Sequence, residues 1–418
     1  VLSKLGRIAE VLRSMARPDL LPRELKESRE ALLAEITALW LTERARTLRP
    51  SVTDEVRTNL FFIDRVFWDV LPRISGELQA AVAENYPELD ASQILANRPW
   101  LRLASWVGGD RDGNPNVTVP VTAETLRLHR GLAVEKHRAM LSELARRLSL
   151  SAERLPPPLE LVHWFERRRP LPPHVAFLEE RYAREPFRLA LSLLAHDLAE
   201  ASRDDMKERL LLSTPHSARV RLDDLVQPLR LMESSLPAAL ANDLFRTVQR
   251  QLAIFGLQAA RLDIREDSAR LNDALAEVLR ALDIDGCDQR NLDLGCISAS
   301  ERAGVLASLL ELPAPQLAPH PGATPAAAET WALFHLLARV RQLYGSELLG
   351  PFIISMTRHA ADLLSVLLML RWTGDSTGQQ IVPLFETVAD LENAPAILEQ
   401  VFTHPIYRSH LETCGNHQ

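Results

Sequence analysis

Residues Ser105 to Thr118, SWVGGDRDGNPNVT, follow a short apolar segment and place two carboxylates, an arginine, three glycines and a tryptophan in one loop. This stretch is too rich in Gly, Asp and Asn to form a helix. Charged side chains held at the end of a strand are where a β/α barrel places its chemistry. An ordinary Gly-Asp turn with solvated charges is the alternative that composition alone leaves open.

Short apolar runs bounded by turn or charged residues are typical of buried parallel strands, and the chain has four of them. Each is followed by a polar cluster and then a helical pattern, which is the alternation of a β/α barrel. We therefore predict a mainly α protein, with an α-helical body around an incomplete TIM-like β/α barrel. Four strands do not close a barrel, so either strands are missed or part of the barrel is not in this chain. The predicted strands are 101–107, 259–264, 351–356 and 380–385.

Apolar residues recur at three- and four-residue steps through most of the remaining sequence, which indicates amphipathic helices. Pro72 is expected to break or kink the second of these helices, and Thr122 is a candidate N-cap for the third. The predicted helices are 25–46, 56–82, 123–148, 176–202, 222–254, 267–282, 300–311, 326–345 and 359–372.

Composition places the chain among ordinary globular proteins, since 46% of its 418 residues are hydrophobic and 25% are charged. A net charge of −7 disfavours nonspecific binding to nucleic acid or to an anionic membrane. There is no apolar run of membrane-spanning length and no signal peptide. Cys287, Cys296 and Cys414 form no CxxC pair, which favours a reduced, cytoplasmic protein.

Two further clusters carry residues suited to binding an anion or a metal ion. Strand alternation puts Arg261, Asp263 and Arg265 on one face, where they form either an anion-binding patch or an ion-pair network that includes Glu266. Glu386 ends an apolar run and is placed to ligate Mg²⁺ or Mn²⁺, although a helix N-terminal charge has the same signature.

A third cluster follows the predicted strand 351–356. Ser355, Arg358 and His359 are candidate site residues there, and a helix start at the surface is the commoner explanation.

Five sequence blocks, taken in order, resemble the phosphoenolpyruvate carboxylases of bacteria. The resemblance spans essentially the whole chain, and the long blocks are specific. The blocks are Trp40-Leu-Thr-Glu with Arg49-Pro-Ser-Val-Thr-Asp-Glu55, SWVGGDRDGNPNVT, RLDIREDS, FIISMTRHAADLLSV and IVPLFETVADLENAP.

The resemblance implies an α-rich β/α barrel, usually a homotetramer, that carboxylates phosphoenolpyruvate with bicarbonate and Mg²⁺ or Mn²⁺. Bicarbonate attacks the phosphoryl group, and the enolate of pyruvate then captures CO₂ from carboxyphosphate, giving oxaloacetate and phosphate. By the same resemblance, Glu386 is one of two metal-binding carboxylates, and Arg261 and Arg265 lie in the block that reaches the substrate phosphate. The block that shapes the substrate pocket contains Trp106, Asp110 and Arg111.

The chain also departs from the family's pattern. It has no Thr-Ala-His-Pro-Thr-Glu motif with the catalytic histidine and no Gly-Tyr-Ser-Asp-Ser motif with the second metal carboxylate and following lysine. The glycine- and arginine-rich mobile loop is missing too, and Glu266 and Leu271 stand where the family usually has Gln and His.

We therefore expect residues 1–418 to be a single fragment of the parent domain with both ends missing. We expect it to carry no catalytic residue of its own, to be inactive alone and to self-associate through exposed core surface. Two alternatives stay open: a non-catalytic helical scaffold or regulatory protein with the same fold, and another metal-dependent barrel enzyme acting on phosphoenolpyruvate or pyruvate.

Overall fold

The computed structural model describes residues 1–43, 49–89, 100–203, 205–212, 220–282, 297–318, 321, 324–375 and 378–416. Cys287 and Cys296 lie outside these ranges. The chain divides into two compact units, Val1–Ser51 and Val52–Gln418. Within the described ranges, no helix combines the length and the apolar character needed to cross a membrane.

The first unit is a pair of packed helices, α1 (Leu2–Met15) and α2 (Pro22–Trp40). Lys4 Nζ on α1 donates a hydrogen bond to the carbonyl of Ala38 on α2 at 2.8 Å. The helix predicted over 25–46 corresponds to α2, which begins earlier, at Pro22, because proline is well tolerated in a first helical turn.

The second unit begins with helices α3 (Val52–Phe62) and α4 (Trp68–Asn85), which flank a π-helical turn, and reaches its first strand only after them. Most of its helices lie between the first and second strands. These elements are β1 (Ala104–Ser105), α5 (Val119–Arg147), α6 (Leu159–Arg168), α7 (Pro173–Arg181), α8 (Pro186–Ser202), α9 (Met206–Leu211), α10 (Leu222–Glu233), the turns Ala238–Leu240 and Ala241–Phe245, and α11 (Arg246–Phe255).

The remaining strands follow at shorter intervals, and each is followed by a helix. In chain order these elements are β2 (Arg261–Asp267), α12 (Ser268–Ala281), α13 (Ala299–Glu311), α14 (Pro325–Tyr344), a 3₁₀ turn (Ser346–Leu348), β3 (Leu349–Ser355), α15 (Ala360–Trp372), β4 (Ile381–Pro383), α16 (Val388–Thr403) and α17 (Pro405–Thr413).

The four strands form one parallel sheet in the order β1-β2-β3-β4. Each of the four predicted strands overlaps an observed one, so the prediction of where strands occur is confirmed. The protein is mainly α, as predicted, and its four strands form a small parallel sheet.

The sheet lies against the largest apolar core, built with α12, α14 and α15. Trp331 and Phe334 of α14 are fully buried there, and the ring of Phe334 stacks on Phe352 of β3 with centroids 5.2 Å apart. A second core joins the helices α5, α6, α8, α10 and α11. This packing fixes the positions of the strands and of the loops at their ends.

Prolines explain why two of the predicted helices are split. The predicted helix 176–202 is split before Pro186, and the predicted helix 222–254 is split before Pro237, because a residue that precedes proline avoids helical backbone. Pro72, by contrast, lies inside α4. The carbonyl of Trp68, which Pro72 cannot pair, accepts a hydrogen bond from Gln251 Nε2 at 3.3 Å.

Thr122 is not an N-cap. Helix α5 begins at Val119 with Thr118 in extended backbone before it, because Pro120 suits the first turn. Thr122 is buried one turn inside α5, where its Oγ1 donates to the carbonyl of Gly108 at 2.8 Å. The side chain therefore ties the helix to the glycine loop.

Candidate active site

The loop that follows β1 continues along β2 as an irregular extension of the sheet. The amide of Arg265 donates to the carbonyl of Gly109 at 3.0 Å, and the amide of Arg111 donates to the carbonyl of Arg265 at 2.9 Å. Glycine is required at position 109 because a Cβ there would lie 2.2 Å from the carbonyl oxygen of Asp263. Close backbone approach thus fixes the loop beside the carboxyl end of β2.

Three carboxylates converge on the guanidinium of Arg265 at this end of the sheet. Its Nη2 lies 2.7 Å from Asp112 Oδ2 and 2.7 Å from Glu386 Oε1, and its Nε lies 3.9 Å from Asp110 Oδ1. The backbone amide of Met356 donates to Glu386 Oε2 at 3.3 Å. Residues that follow β1, β3 and β4 therefore meet a residue of β2, and we call Asp110, Asp112, Arg265 and Glu386 the carboxyl-end cluster.

The carboxyl-end cluster is partly open to solvent and carries an excess of negative charge. Its four side chains are between 26% and 31% exposed, and three carboxylates against one guanidinium leave a formal charge of −2. Ion pairs this accessible contribute only about 0–1 kcal/mol each. The Arg265 contacts are therefore weak enough to exchange for other partners.

Arg111 lies in a different environment from its neighbours in sequence. Its side chain is 1% exposed and its Nε lies 3.0 Å from Oε2 of Glu266, which is 0% exposed. Glu329 of α14 lies 3.4 Å from Arg111 Nη1 and also accepts the backbone amide of Val119 at 2.6 Å. Arg270 adds a contact of 3.3 Å to Glu266. This buried network anchors the loop and the start of α5.

The alternation predicted for β2 is observed, with a different pairing. Arg261, Asp263 and Arg265 lie on the partly exposed face and Glu266 on the buried one. The predicted network among these four is not the arrangement formed, because Arg265 and Glu266 pair with other elements and Arg261 Nε donates to the carbonyl of Leu349 at 2.9 Å. Burial raises the pKa of Asp263 to about 6.

Besides Arg111, two more predicted site residues lie outside the carboxyl-end cluster. Arg261 begins β2, four residues from Arg265, which corresponds to about 13 Å along a strand. Trp106 is 64% exposed and projects from the loop after β1, and its carbonyl accepts the amides of Gly109 and Asp110 at 2.8 Å. The structure thus brings together Asp110, Arg265 and Glu386, and keeps Arg261, Arg111 and Trp106 apart from them.

The segment after β3 is held by a buried carboxylate that sequence reasoning missed. Asp362 Oδ2 accepts the backbone amides of Arg358 and His359, each at 3.0 Å, while its Oδ1 binds Arg302 at 2.7 Å. The candidate His359 therefore serves as the residue before α15. Ser355 is fully buried at the end of β3. The sequence signal for Asp362 was its position three residues into the helix, the place of a capping carboxylate.

The carboxyl-end cluster meets only part of what a metal ion needs. In the part of the chain that the structure describes, no three His, Cys, Asp or Glu side chains are arranged to hold one. Glu386 has suitable oxygen donors for Mg²⁺ or Mn²⁺, which commonly take one or two protein carboxylates together with water and substrate phosphate. Glu386 therefore fits as a single ligand.

Comparison with known proteins tests which protein family the chain belongs to. A sequence model of the phosphoenolpyruvate carboxylase family matches residues 1–418. The chain belongs to this family. The five blocks named above and the strand-end geometry are thus features of a family member.

Curated relatives agree with this assignment. Phosphoenolpyruvate carboxylase from Roseiflexus castenholzii is 34% identical over 93% of the chain, and that from Parasynechococcus marenigrum is 30% identical over 99%. The enzyme of a Synechococcus strain is 32% identical over 99% of the chain. The chain spans only 42–43% of the length of these relatives.

Besides Asp362, the sequence did not reveal the roles of two residues in the site region. Asp112 was grouped with Asp110 only as a second carboxylate of the loop, although it makes the shorter contact to Arg265. Glu329 lies 218 residues from its partner Arg111, inside an apolar helix, and no local pattern joins the two. A lone acidic residue on an otherwise apolar helical face was the available signal.

Proposed function

We propose that this chain provides one side of the active site of a phosphoenolpyruvate carboxylase, which converts phosphoenolpyruvate and bicarbonate to oxaloacetate and phosphate. The observation that carries the proposal is the carboxyl-end cluster, where Arg265 lies 2.7 Å from both Asp112 and Glu386 at the carboxyl ends of parallel strands. Substrates of parallel α/β sheets bind at that end.

The role assigned to Arg265 is to bind the phosphoryl group of the substrate. A guanidinium forms two parallel hydrogen bonds with phosphate oxygens and offsets charge that develops during transfer. The weak contacts of Arg265 to half-buried carboxylates allow this exchange of partners. We further propose that Trp106, Asp110 and Arg111 shape the pocket, Arg111 by anchoring the loop through Glu266.

Glu386 is proposed as one ligand for Mg²⁺ or Mn²⁺. The formal charge of −2 in the carboxyl-end cluster favours a divalent cation, and a cation at Glu386 would free Arg265 from one of its carboxylates. When bound, the metal ion would offset negative charge on phosphoryl and enolate oxygens. We propose that a further ligand is the second metal-binding carboxylate of the family's Gly-Tyr-Ser-Asp-Ser motif, which this chain does not contain.

The architecture proposed for the parent protein is a β/α barrel of which β1 to β4 form one part. The parallel order of the four strands and the helices that follow β2, β3 and β4 support this proposal. Residues 1–418 are proposed to lie in one parent domain, and the parent is proposed to be a cytoplasmic homotetramer that fixes carbon dioxide into oxaloacetate.

The experiment measures oxaloacetate formation from phosphoenolpyruvate, bicarbonate and Mg²⁺ through malate dehydrogenase. The 418-residue chain is compared with a version extended at both ends by the family's missing blocks. We expect activity only in the extended version. Activity in the short chain would contradict our assignment of the missing histidine and lysine blocks, and silence from both would favour the scaffold hypothesis.

Variants of the extended version test the residues. Arg265→Met and Glu386→Gln are each expected to lower kcat/KM by about 100-fold or more, the size typical of a lost charge-stabilising group. Arg138→Gln is the matched control, because Arg138 pairs with Glu135 on the exposed surface of α5. A loss of less than threefold in Arg265→Met would contradict its proposed role.

A further inference from the structure

A cleft of about 700 Å³ opens at the amino ends of the strands, opposite the carboxyl-end cluster. Its lining includes the segments just before β2 (256–258) and just before β3 (346–348), together with Trp100 upstream of β1. The seven residues of β2 separate the two ends of the sheet by about 20 Å at the usual rise of a strand. The cleft, which we call the amino-end cleft, is therefore distinct from the proposed active site.

Positive charge is concentrated in the amino-end cleft. Among the described residues that line it, seven are arginines and three are acidic. Two of the three acidic groups already have partners there, since Glu233 lies 2.6 Å from Arg246 and Glu347 lies 3.6 Å from Arg102. The formal excess of positive charge is unusual in a chain whose net charge is −7.

Two of these arginines, Arg246 and Arg250, lie one turn apart on the same face of α11. The hydrogen bond of Arg250 goes to a neutral acceptor, Gln79 Oε1, at 2.9 Å. Burial, and after it the charge of Arg246, lower the pKa of Arg250. Gly76 lets α4 approach closely, because a Cβ there would lie 2.6 Å from Arg250 Nη1. An anion between the two guanidinium groups would relieve their repulsion.

Part of the cleft lining is apolar and accessible. Leu222 and Val226 of α10 are half-buried there, and Trp100 is exposed. Inorganic phosphate alone would leave these apolar side chains in contact with water, and a neutral apolar molecule would leave Arg250 without an anion. The volume is within the range of sites that enclose a small organic molecule.

We propose that the amino-end cleft is a second binding site, which takes a small organic phosphate with an apolar body. Arg250 binds the phosphate through its planar fork with Arg246 one turn away, and Leu222 and Val226 cover the apolar part. This site is separate from the carboxyl-end cluster and does not depend on the proposed enzyme activity.

The test is titration calorimetry of the 418-residue chain with hexyl phosphate, compared with inorganic phosphate and with hexanol. We expect hexyl phosphate to bind at least tenfold more tightly than either comparison compound. Its binding is expected to quench the fluorescence of Trp100, which lines the cleft, and Trp100→Phe should remove that signal.

Variants assign the site. Arg250→Gln is expected to weaken hexyl phosphate binding at least tenfold, and Arg250→Lys by less, because lysine keeps the charge without the fork. Arg265→Met in the carboxyl-end cluster and Arg138→Gln on α5 are expected to leave the affinity unchanged. Circular dichroism confirms that each variant is folded. Equal affinity for inorganic phosphate and hexyl phosphate, undiminished binding by folded Arg250→Gln, or loss of binding in Arg265→Met would each overturn the proposal.

Discussion

Replacing Arg111 by methionine tests whether the buried ion pair anchors the glycine loop. Arg111 and Glu266 are almost completely buried, with Nε and Oε2 3.0 Å apart. Removing one partner of such a pair costs about 3–5 kcal/mol, because the other charge stays buried. Arg270, 40% exposed and 3.3 Å from Glu266, offsets part of that cost. We therefore expect Arg111→Met to lower the free energy of unfolding by about 3 kcal/mol.

A double variant separates the energy of the ion pair itself from the cost of leaving one charge buried alone. Arg111→Met with Glu266→Leu replaces both charges by apolar side chains, and buried pairs replaced in this way often lose little stability. We expect the double variant to lie within about 1 kcal/mol of the parent chain, which corresponds to a coupling energy of several kcal/mol. Glu329 would then retain its hydrogen bond from the amide of Val119 at 2.6 Å.

Urea unfolding followed by tryptophan fluorescence and by circular dichroism measures these differences. A loss of about 3 kcal/mol lowers the midpoint by about 1 M when the slope is about 3 kcal/mol per M. Coincident transitions in the two signals justify the conversion to free energies. A cost below about 1 kcal/mol for Arg111→Met, or a double variant as unstable as the sum of the single ones, would refute the reasoning. The exposed pair Arg138 and Glu135 provides the control, with an expected change under about 0.5 kcal/mol for Arg138→Met.

Three further predictions concern burial and close approach. His137 Nε2 donates a hydrogen bond to the carbonyl of Gly256 at 2.7 Å, and burial lowers the pKa of His137 from its usual value of 6.5 to about 4. The free energy of unfolding should therefore fall by up to about 3 kcal/mol as pH drops from 6.5 to 4, because the unfolded chain binds the proton first. Urea midpoints measured across that pH range check this, and the midpoint should depend less on pH in His137→Gln. Burial raises the pKa of Asp263 from 3.8 to about 6, so its ionisation lowers the stability of the fold as pH rises through that range. Asp263→Asn should therefore raise the urea midpoint at pH 8 and leave it unchanged at pH 3. A larger effect at pH 3 than at pH 8 would contradict this account of the burial. Gly109→Ala should cost about 1–3 kcal/mol through its clash with a backbone carbonyl, whereas Gly131→Ala, in open space on α5, should stabilise the helix by about 0.5–1 kcal/mol in thermal unfolding.

Local patterns in the sequence were sufficient to predict the strands and most of the helices. The apolar runs before the polar clusters became β1 to β4, and the alternation through Arg261, Asp263 and Arg265 correctly placed those side chains on one face. These features depend on neighbours within a few residues, and the repeat lengths of strand and helix are visible in the sequence itself. The main errors in helix bounds, at Pro186 and Pro237, came from giving periodicity more weight than proline.

The chemical state of the candidate site depended on tertiary contacts. Asp110, Arg111 and Asp112 are consecutive in sequence, yet two of them reach the solvent-accessible guanidinium of Arg265 while Arg111 is buried against Glu266. The sequence determined which residue types stand at the strand ends and which family the chain resembles. Only the fold decided which charges pair and which remain accessible, because the partners of an ion pair lie up to 218 residues apart. Burial sets the energy of each charge, and it depends on every element packed around that charge.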